Sequence, residues 1–259
     1  MPALYTPFYC EENVYQLASF LSSSDGAQPR FTRLYAVFIS NLSRRALLFQ
    51  QKASRAGAEQ GCYVIWDYHV VAVGVLDAAI GEKERVVVLD RDSRLGDELD
   101  LTDYVLHTFR PDLFAEDILD PSLQSRLRVV PAADFLVNFA SDRSHMLLPP
   151  STALDAAPLG PHPSHNPSST ASILFTASPR PPPPPEPRYI QPPPPYPPIQ
   201  GSSAKRKGET HNLWTKWLDV GLPGEEQEED QGEKRDEPEQ EEGFGVVLKD
   251  SEALLRYAW

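Results

Sequence analysis

Three residues of this 259-residue chain have the types and settings that nucleophilic chemistry needs. Cys10 opens the stretch "CEENVYQLASFLSSSDG", in which Val14, Leu17, Ala18 and Leu21 recur at i, i+3, i+4 and i+7. That spacing predicts one buried face of a helix. A thiol at the N-terminal edge of a helix feels the positive end of the dipole, which favours its thiolate. His69 sits inside "CYVIWDYHVVAVGV" (62–75), a run of aromatic and β-branched residues that predicts a long strand, bent near Gly74. A lone histidine there reads first as a hydrogen-bonded core residue. It becomes a general base only beside a nucleophile and an orienting acid. "RVVVLD" (85–90) predicts the next strand, antiparallel because the connection is short. Asp90 at its end would reach across to the imidazole. Asp92, nearer the turn, competes for that role, and ordinary turn chemistry is the alternative for both.

Those residues need a scaffold to hold them. "LYAVFI" (34–39) predicts a buried strand and "RRALLFQQKA" (44–53) a helix. Residues 77–83 read as a turn, and "LTDYVLHTF" (101–109) has helical spacing. "RLRVVPAADFLVNFA" (126–140) predicts a strand, a proline break and a short helix. "FGVVLKDSEALLRYAW" (244–259) predicts a strand and a helix, too apolar for a tail, so the chain is expected to return to the domain there. One catalytic domain is expected over 1–148, completed by about 189–199 and 244–259.

The average composition hides two unlike segments. Residues 149–200 hold 19 of the 27 prolines, and 225–242 hold 11 Asp or Glu against two Lys or Arg. A Pro/Ser-rich disordered insertion is expected over 149–188 and an acidic one over 225–242, since neither composition can build a core. The acidic run carries −9 of the formal charge of −13. No basic stripe suggests a nucleic-acid groove, and no apolar stretch reaches membrane-spanning length. Two cysteines are too few for a disulfide framework, and scattered histidines give no zinc pattern. Without a signal-peptide pattern, a cytoplasmic protein with reduced thiols is expected, with a nuclear share allowed.

Smaller features have two readings each. Trp66 and Tyr68 alternate with His69 and are expected to pack in the core, as is Cys62. Asp67 shares the His69 face and either reaches the cleft or forms a structural ion pair. "SDRSHM" (141–146) either lines the cleft or caps a helix, with Arg143 structural and Asp142 open. "PPPPYPPI" either packs on the domain or offers an SH3 or WW ligand.

A cysteine at a helix start, a histidine on a strand and an aspartate on the following strand form the arrangement of transglutaminase-like and papain-like cysteine enzymes. "YCEENVYQL", "YAVFISN", "VIWDYHVV", "LDRDS", "RVVPAADFLVNFASDRSHM" and "PPPPYPPI" together resemble the protein N-terminal glutamine amidohydrolase family. The resemblance covers most of 8–146, then 189–199, and weakly 244–257. It departs where the family's Asp-Leu-Asp reads "DRD", and at the two insertions.

The resemblance implies an α/β (α+β) fold: a three-layer α-β-α sandwich of papain/transglutaminase type around a mainly antiparallel sheet. It places the catalytic residues on Cys10, His69 and Asp90; the residues' own positions make Asp67 and Asp142 the candidates for substrate binding. It implies hydrolysis of the side-chain amide of an N-terminal glutamine through a thioester, feeding the N-degron pathway. No metal and no cofactor is implied. The expected partners are proteins and peptides with a free N-terminal Gln, met by a monomer. A transglutaminase-like or protease-like enzyme and a non-enzymatic proline-rich adaptor are the alternatives.

Overall fold

A computed structural model of the chain describes residues 5–23, 30–77, 84–148, 188–221 and 244–259. The expected turn after Asp77, most of the Pro/Ser-rich segment and the acidic run lie outside the described residues. The chain divides into two compact units, Met1–Asp142 with Pro193–Trp259, and Arg143–Pro192. In the second, a helical turn over Ser144–Met146 precedes an antiparallel bridge between Leu147 and Tyr189.

The first unit runs α1 (Cys10–Ser22), β1 (Phe31–Ser40), β2 (Ala46–Leu48), β3 (Val64–Trp66), β4 (His69–Leu76), β5 (Arg85–Leu89) and β6 (Glu98–Asp100). It continues through α2 (Leu101–Tyr104), α3 (Pro111–Ala115), β7 (Arg126–Pro131), α4 (Ala132–Asn138), β8 (Ala140–Ser141), β9 (Ile199–Gln200), α5 (Ser202–Lys207), β10 (Val246–Leu248) and α6 (Ser251–Leu255). Six strands form one sheet in the order β10-β7-β1-β4-β5-β6, antiparallel at every pairing. The fold is therefore α+β around an antiparallel sheet, as expected.

Period-two alternation explains why the central strands read as unbroken apolar runs. Val70 and Ala72 of β4 join Ala36, Phe38 and Val130 on the face that packs Val14 of α1 and Phe135 of α4. Val71 and Val73 join Val37, Ile39 and Val129 on the other face, against Tyr104 of α2 and Leu254 of α6. With both faces covered, neither accommodates unpaired polar residues. Gly74 is paired in register with Leu34 and Val87. Its missing side chain leaves room for the Phe31 ring, which a Cβ would overlap.

The returning segments are bound into this core. β10 pairs with β7, and Arg128 of β7 donates to the carbonyl of Phe244 (2.9 Å) and through Nε to that of Asp219 (3.0 Å). Trp217 is fully buried and stacks on Phe244 at 4.9 Å. In "PPPPYPPI", Pro194 is buried and Tyr196 packs against the core.

Two expectations are corrected. Residues 44–53 are not a helix: Arg44 and Gln50 take φ of 52° and 56°, and Ala46–Leu48 is a buried strand paired with β3. Tertiary pairing overrides helix propensity there. Nor is Cys62–Leu76 one strand. Cys62 has φ 49°, β3 pairs with β2 in a separate sheet, and the chain breaks at Asp67–Tyr68, where Asp67 Oδ1 accepts the Tyr68 N–H (2.9 Å). His69 is thus the first residue of β4, paired with Ile39 of β1. Among the described residues no helix is long and apolar enough to cross a membrane.

Candidate active site

Cys10 is the first residue of α1, and the preceding segment is fastened to the helix. The Thr6 N–H donates to Asn13 Oδ1 (2.9 Å), and Asn13 Nδ2 returns a bond to the Thr6 carbonyl (2.8 Å). Tyr9, fully buried, stands at the cap position without a side-chain cap bond. The Cys10 sulfur is buried and lies 3.7 Å from Glu11 Oε2. The backbone N–H of Val70, the residue after His69, interacts with the same sulfur and favours its ionised form.

His69 is held from two sides. Nε2 lies 3.1 Å from Asp90 Oδ1, with both residues 2% exposed or less. The Trp66 ring stacks on the imidazole, centroids 5.4 Å apart and planes 18° from parallel. Trp66 is fixed in turn by a bond from Nε1 to Gln51 Oε1 (3.2 Å). With Nε2 committed to the carboxylate, Nδ1 is the available nitrogen, buried and without a hydrogen-bond partner. The aspartate sits where β5 ends. Oδ1 also accepts the Asp92 N–H (2.9 Å), and Oδ2 accepts the Tyr104 hydroxyl (2.9 Å). Between the competing acids the geometry thus favours Asp90 for the imidazole. Asp92 instead accepts the Tyr5 hydroxyl and lines the same cleft as Cys10.

The charges of the two sides differ. Burial alone would pull the His69 pKa down, but the Asp90 charge and hydrogen bond, with Asp92 and Glu11 beyond, bring it above the ordinary histidine value. Burial alone would push Asp90 up, but His69, the Asp92 N–H and the Tyr104 hydroxyl hold it below the ordinary carboxylate value. Burial pushes the Cys10 thiol well up, and Glu11, Asp92 and Asp67 add to it against the Val70 N–H. Burial and these acids thus oppose the helix start, which by its position favours the thiolate.

The sequence model of the N-terminal glutamine amidase family matches residues 5–256. The chain belongs to that family. A protein N-terminal glutamine amidohydrolase of Oryza sativa subsp. indica is 40% identical over 149 residues, 55% of this chain and 58% of the relative. That of Arabidopsis thaliana is 40% identical over 148 residues, 56% of this chain and 61% of the relative. That of Drosophila ananassae is 37% identical over 163 residues, 63% of this chain and 70% of the relative. The match thus spans under two thirds of the length of the two plant relatives.

In this member of the N-terminal glutamine amidase family, the two candidates for substrate binding differ. Asp67 lies in the break before β4 and not on a strand face; it is exposed, and its charge acts on Cys10. Asp142 is set against His211 (3.3 Å) and the Thr210 hydroxyl (3.4 Å). Sequence reasoning missed three contributors. Trp66 packs against the core, as its alternation predicts, but the turn after β3 also lays its ring on His69. Glu11 reads as a dipole-complementing first-turn acid, yet it is fully buried and accepts the Tyr68 hydroxyl (3.0 Å). Tyr104 gives no sequence signal beyond its place on an apolar helical face. His69, Asp90 and Asp92 offer ligand atoms within 4.8 Å of one another. Their oxygens already receive an imidazole, a backbone N–H and two tyrosine hydroxyls, which suits a hydrogen-bond network better than a cation.

Proposed function

We propose that this chain hydrolyses the side-chain amide of an N-terminal glutamine, giving N-terminal glutamate and ammonia, with Cys10, His69 and Asp90 as the catalytic residues. The observation that carries the reading is the buried His69–Asp90 pair, with Nδ1 left available and the Cys10 sulfur beside the next residue's N–H. The family match and the relatives' names support it.

Cys10 gives its proton to His69 Nδ1, and the sulfur attacks the amide carbon. The resulting oxyanion is held at the uncapped start of α1, with the Cys10 N–H as a donor. His69 returns the proton to the leaving nitrogen, and ammonia departs from a thioester. His69 then takes a proton from water, which attacks the thioester and releases the carboxylate and the thiol. Asp90 keeps the Nε2 proton in place and favours the charged imidazole throughout. The dry site needs this ion-pair route because its thiol is not acidic by itself. An N-terminal glutamate produced in this way would feed the N-degron pathway.

A free α-ammonium that loses water needs an acceptor or a negative charge in return. Asp67 is assigned that part for its exposure and because its charge acts on Cys10, with Asp142 as the other candidate. Incubation of the purified chain with a Gln-initiated peptide, followed by mass and ammonia analysis without added amine, tests the reading. Conversion of amide to acid is expected, with N-acetyl-Gln, internal Gln and N-terminal Asn peptides poor. Equal turnover of the acetylated peptide would remove the amine anchor. A product formed only with added amine would make the chain a transglutaminase. Asp67→Asn is expected to raise KM more than it changes alkylation of Cys10.

A further inference from the structure

Tyr104 belongs to α2, which packs on the face of the sheet opposite α1. Its side chain is fully buried among Val71, Val73 and Val88, yet its hydroxyl ends 2.9 Å from Asp90 Oδ2. Aromatic packing alone would be met by phenylalanine; burying a hydroxyl costs free energy unless it is hydrogen-bonded. The two oxygens of Asp90 are supplied unequally. Oδ1 has the imidazole and the Asp92 N–H, whereas Tyr104 is the one donor that the described residues give Oδ2. Without it, one oxygen of a buried anion faces apolar strands and is the natural place for a proton.

We propose that Tyr104 is a positioning residue of the active site: from α2, across the sheet from the thiol helix, its hydroxyl holds Asp90 as an oriented anion so that Asp90 can hold His69. This rests on the function proposed above for its catalytic consequence, but not for the geometry. Tyr104 itself remains a donor, because burial and then Asp90 push its pKa well above the ordinary tyrosine value. The other ionisable groups bearing on the pair are Asp92 and Glu11. Asp92 is tied to Tyr5, over whose ring Arg91 lies. None of these supplies Oδ2.

The test is Tyr104→Phe, read in two ways. In a Cys10→Ser chain, carbon NMR of the carboxylates follows Asp90 directly, and its titration is expected to rise by about one pH unit, the scale of one lost charge-assisted bond. In the otherwise unmodified enzyme kcat is expected to fall about tenfold with KM little changed. In an Asp90→Asn background the same substitution should cost less than twofold further (roughly, from the non-additivity of groups that act as a unit). A purely structural tyrosine would instead leave the Asp90 titration in place, or lower activity equally in both backgrounds; either result overturns the proposal. If Tyr104→Phe does not fold, 3-fluorotyrosine at position 104, a stronger donor of nearly the same shape, should move the Asp90 titration down, and no movement overturns the proposal. An unmodified chain that leaves Gln-initiated peptides intact would remove the proposed reaction while the Asp90 titration still decides the role of Tyr104.

Discussion

On the imidazole side of the site, each oxygen of Asp90 has a donor, the ring is stacked on Trp66, and Trp66 is anchored by Gln51. On the thiol side, the groups acting on Cys10 are chiefly acids, Glu11, Asp92 and Asp67, opposed by one backbone N–H. The first region is organised to keep a charge and a direction. The second withholds charge, since burial and the acids both favour the neutral thiol. The contrast teaches that order is built around the histidine: on the function proposed above, the thiol would become a nucleophile as His69 accepts its proton.

The harshest way to break this comparison is to remove the Cys10 thiol. Cys10→Ala should lower kcat for a Gln-initiated peptide by about 1,000-fold or more, with far-ultraviolet circular dichroism unchanged. Retention of more than a few per cent of ammonia release would place the chemistry elsewhere. Asp90→Asn comes next, with a loss of about 100-fold or more. Because Asp90 raises the His69 pKa and His69 must be unprotonated to accept the Cys10 proton, its neutral replacement should shift the acid limb of the rate profile to lower pH; an unmoved limb would detach Asp90 from the imidazole.

Glu11→Gln sharpens the thiol side. Glu11 raises the Cys10 pKa, so the variant should lower it and speed alkylation at neutral pH by several-fold, with a ceiling of about tenfold if the thiol titration falls by one full pH unit. An unchanged alkylation profile would mean that burial alone keeps the thiol neutral.

A smaller effect falls on stability. The folded Asp90 pKa lies below its ordinary 3.8, so its contribution is present above that value and is lost as pH falls through the folded one. The folded His69 pKa lies above its ordinary 6.5, so its contribution is complete below that value and is lost as pH rises through the folded one. The pair should therefore stabilise most between about pH 4 and 6.5, by on the order of 1 kcal/mol. Urea midpoints of the unmodified chain and of His69→Gln should differ most in that window; a constant difference across pH would refute the linkage. Smallest of all, deleting 151–186 or 225–242 should change peptide turnover by less than about twofold, since composition alone gives those segments no core to contribute. A large loss of kcat would show that one of them serves the site.

Residues with strong periodicity were legible. Val14 and Ala18 on α1, the strands through 34–39 and 85–89, and the strand–helix step at Pro131 follow from apolar spacing, which reports burial directly. The positions of Cys10 at a helix start and Asp90 at a strand end followed from the same spacing. Residues 44–53 did not, because their strand exists only through pairing with β3, and that pairing is non-local. The break at Asp67–Tyr68 was hidden by β-branched and aromatic residues on both sides of it. Tyr104 and Glu11 act through contacts across layers, and no pattern within one element encodes what a side chain meets on another.

The pairing of β10 with β7 has a consequence for biosynthesis. Arg128 of β7 emerges from the ribosome more than a hundred residues before Phe244, whose carbonyl it binds, and before Trp217, which fills the core beside α4. Until then the β7 edge stays unpaired and the apolar floor under Phe38 and Phe135 lacks its indole. An exposed strand edge of this kind is a template for wrong partners. The nascent protein should therefore need shielding at the β7 edge until Phe244 and the residues of β10 have emerged.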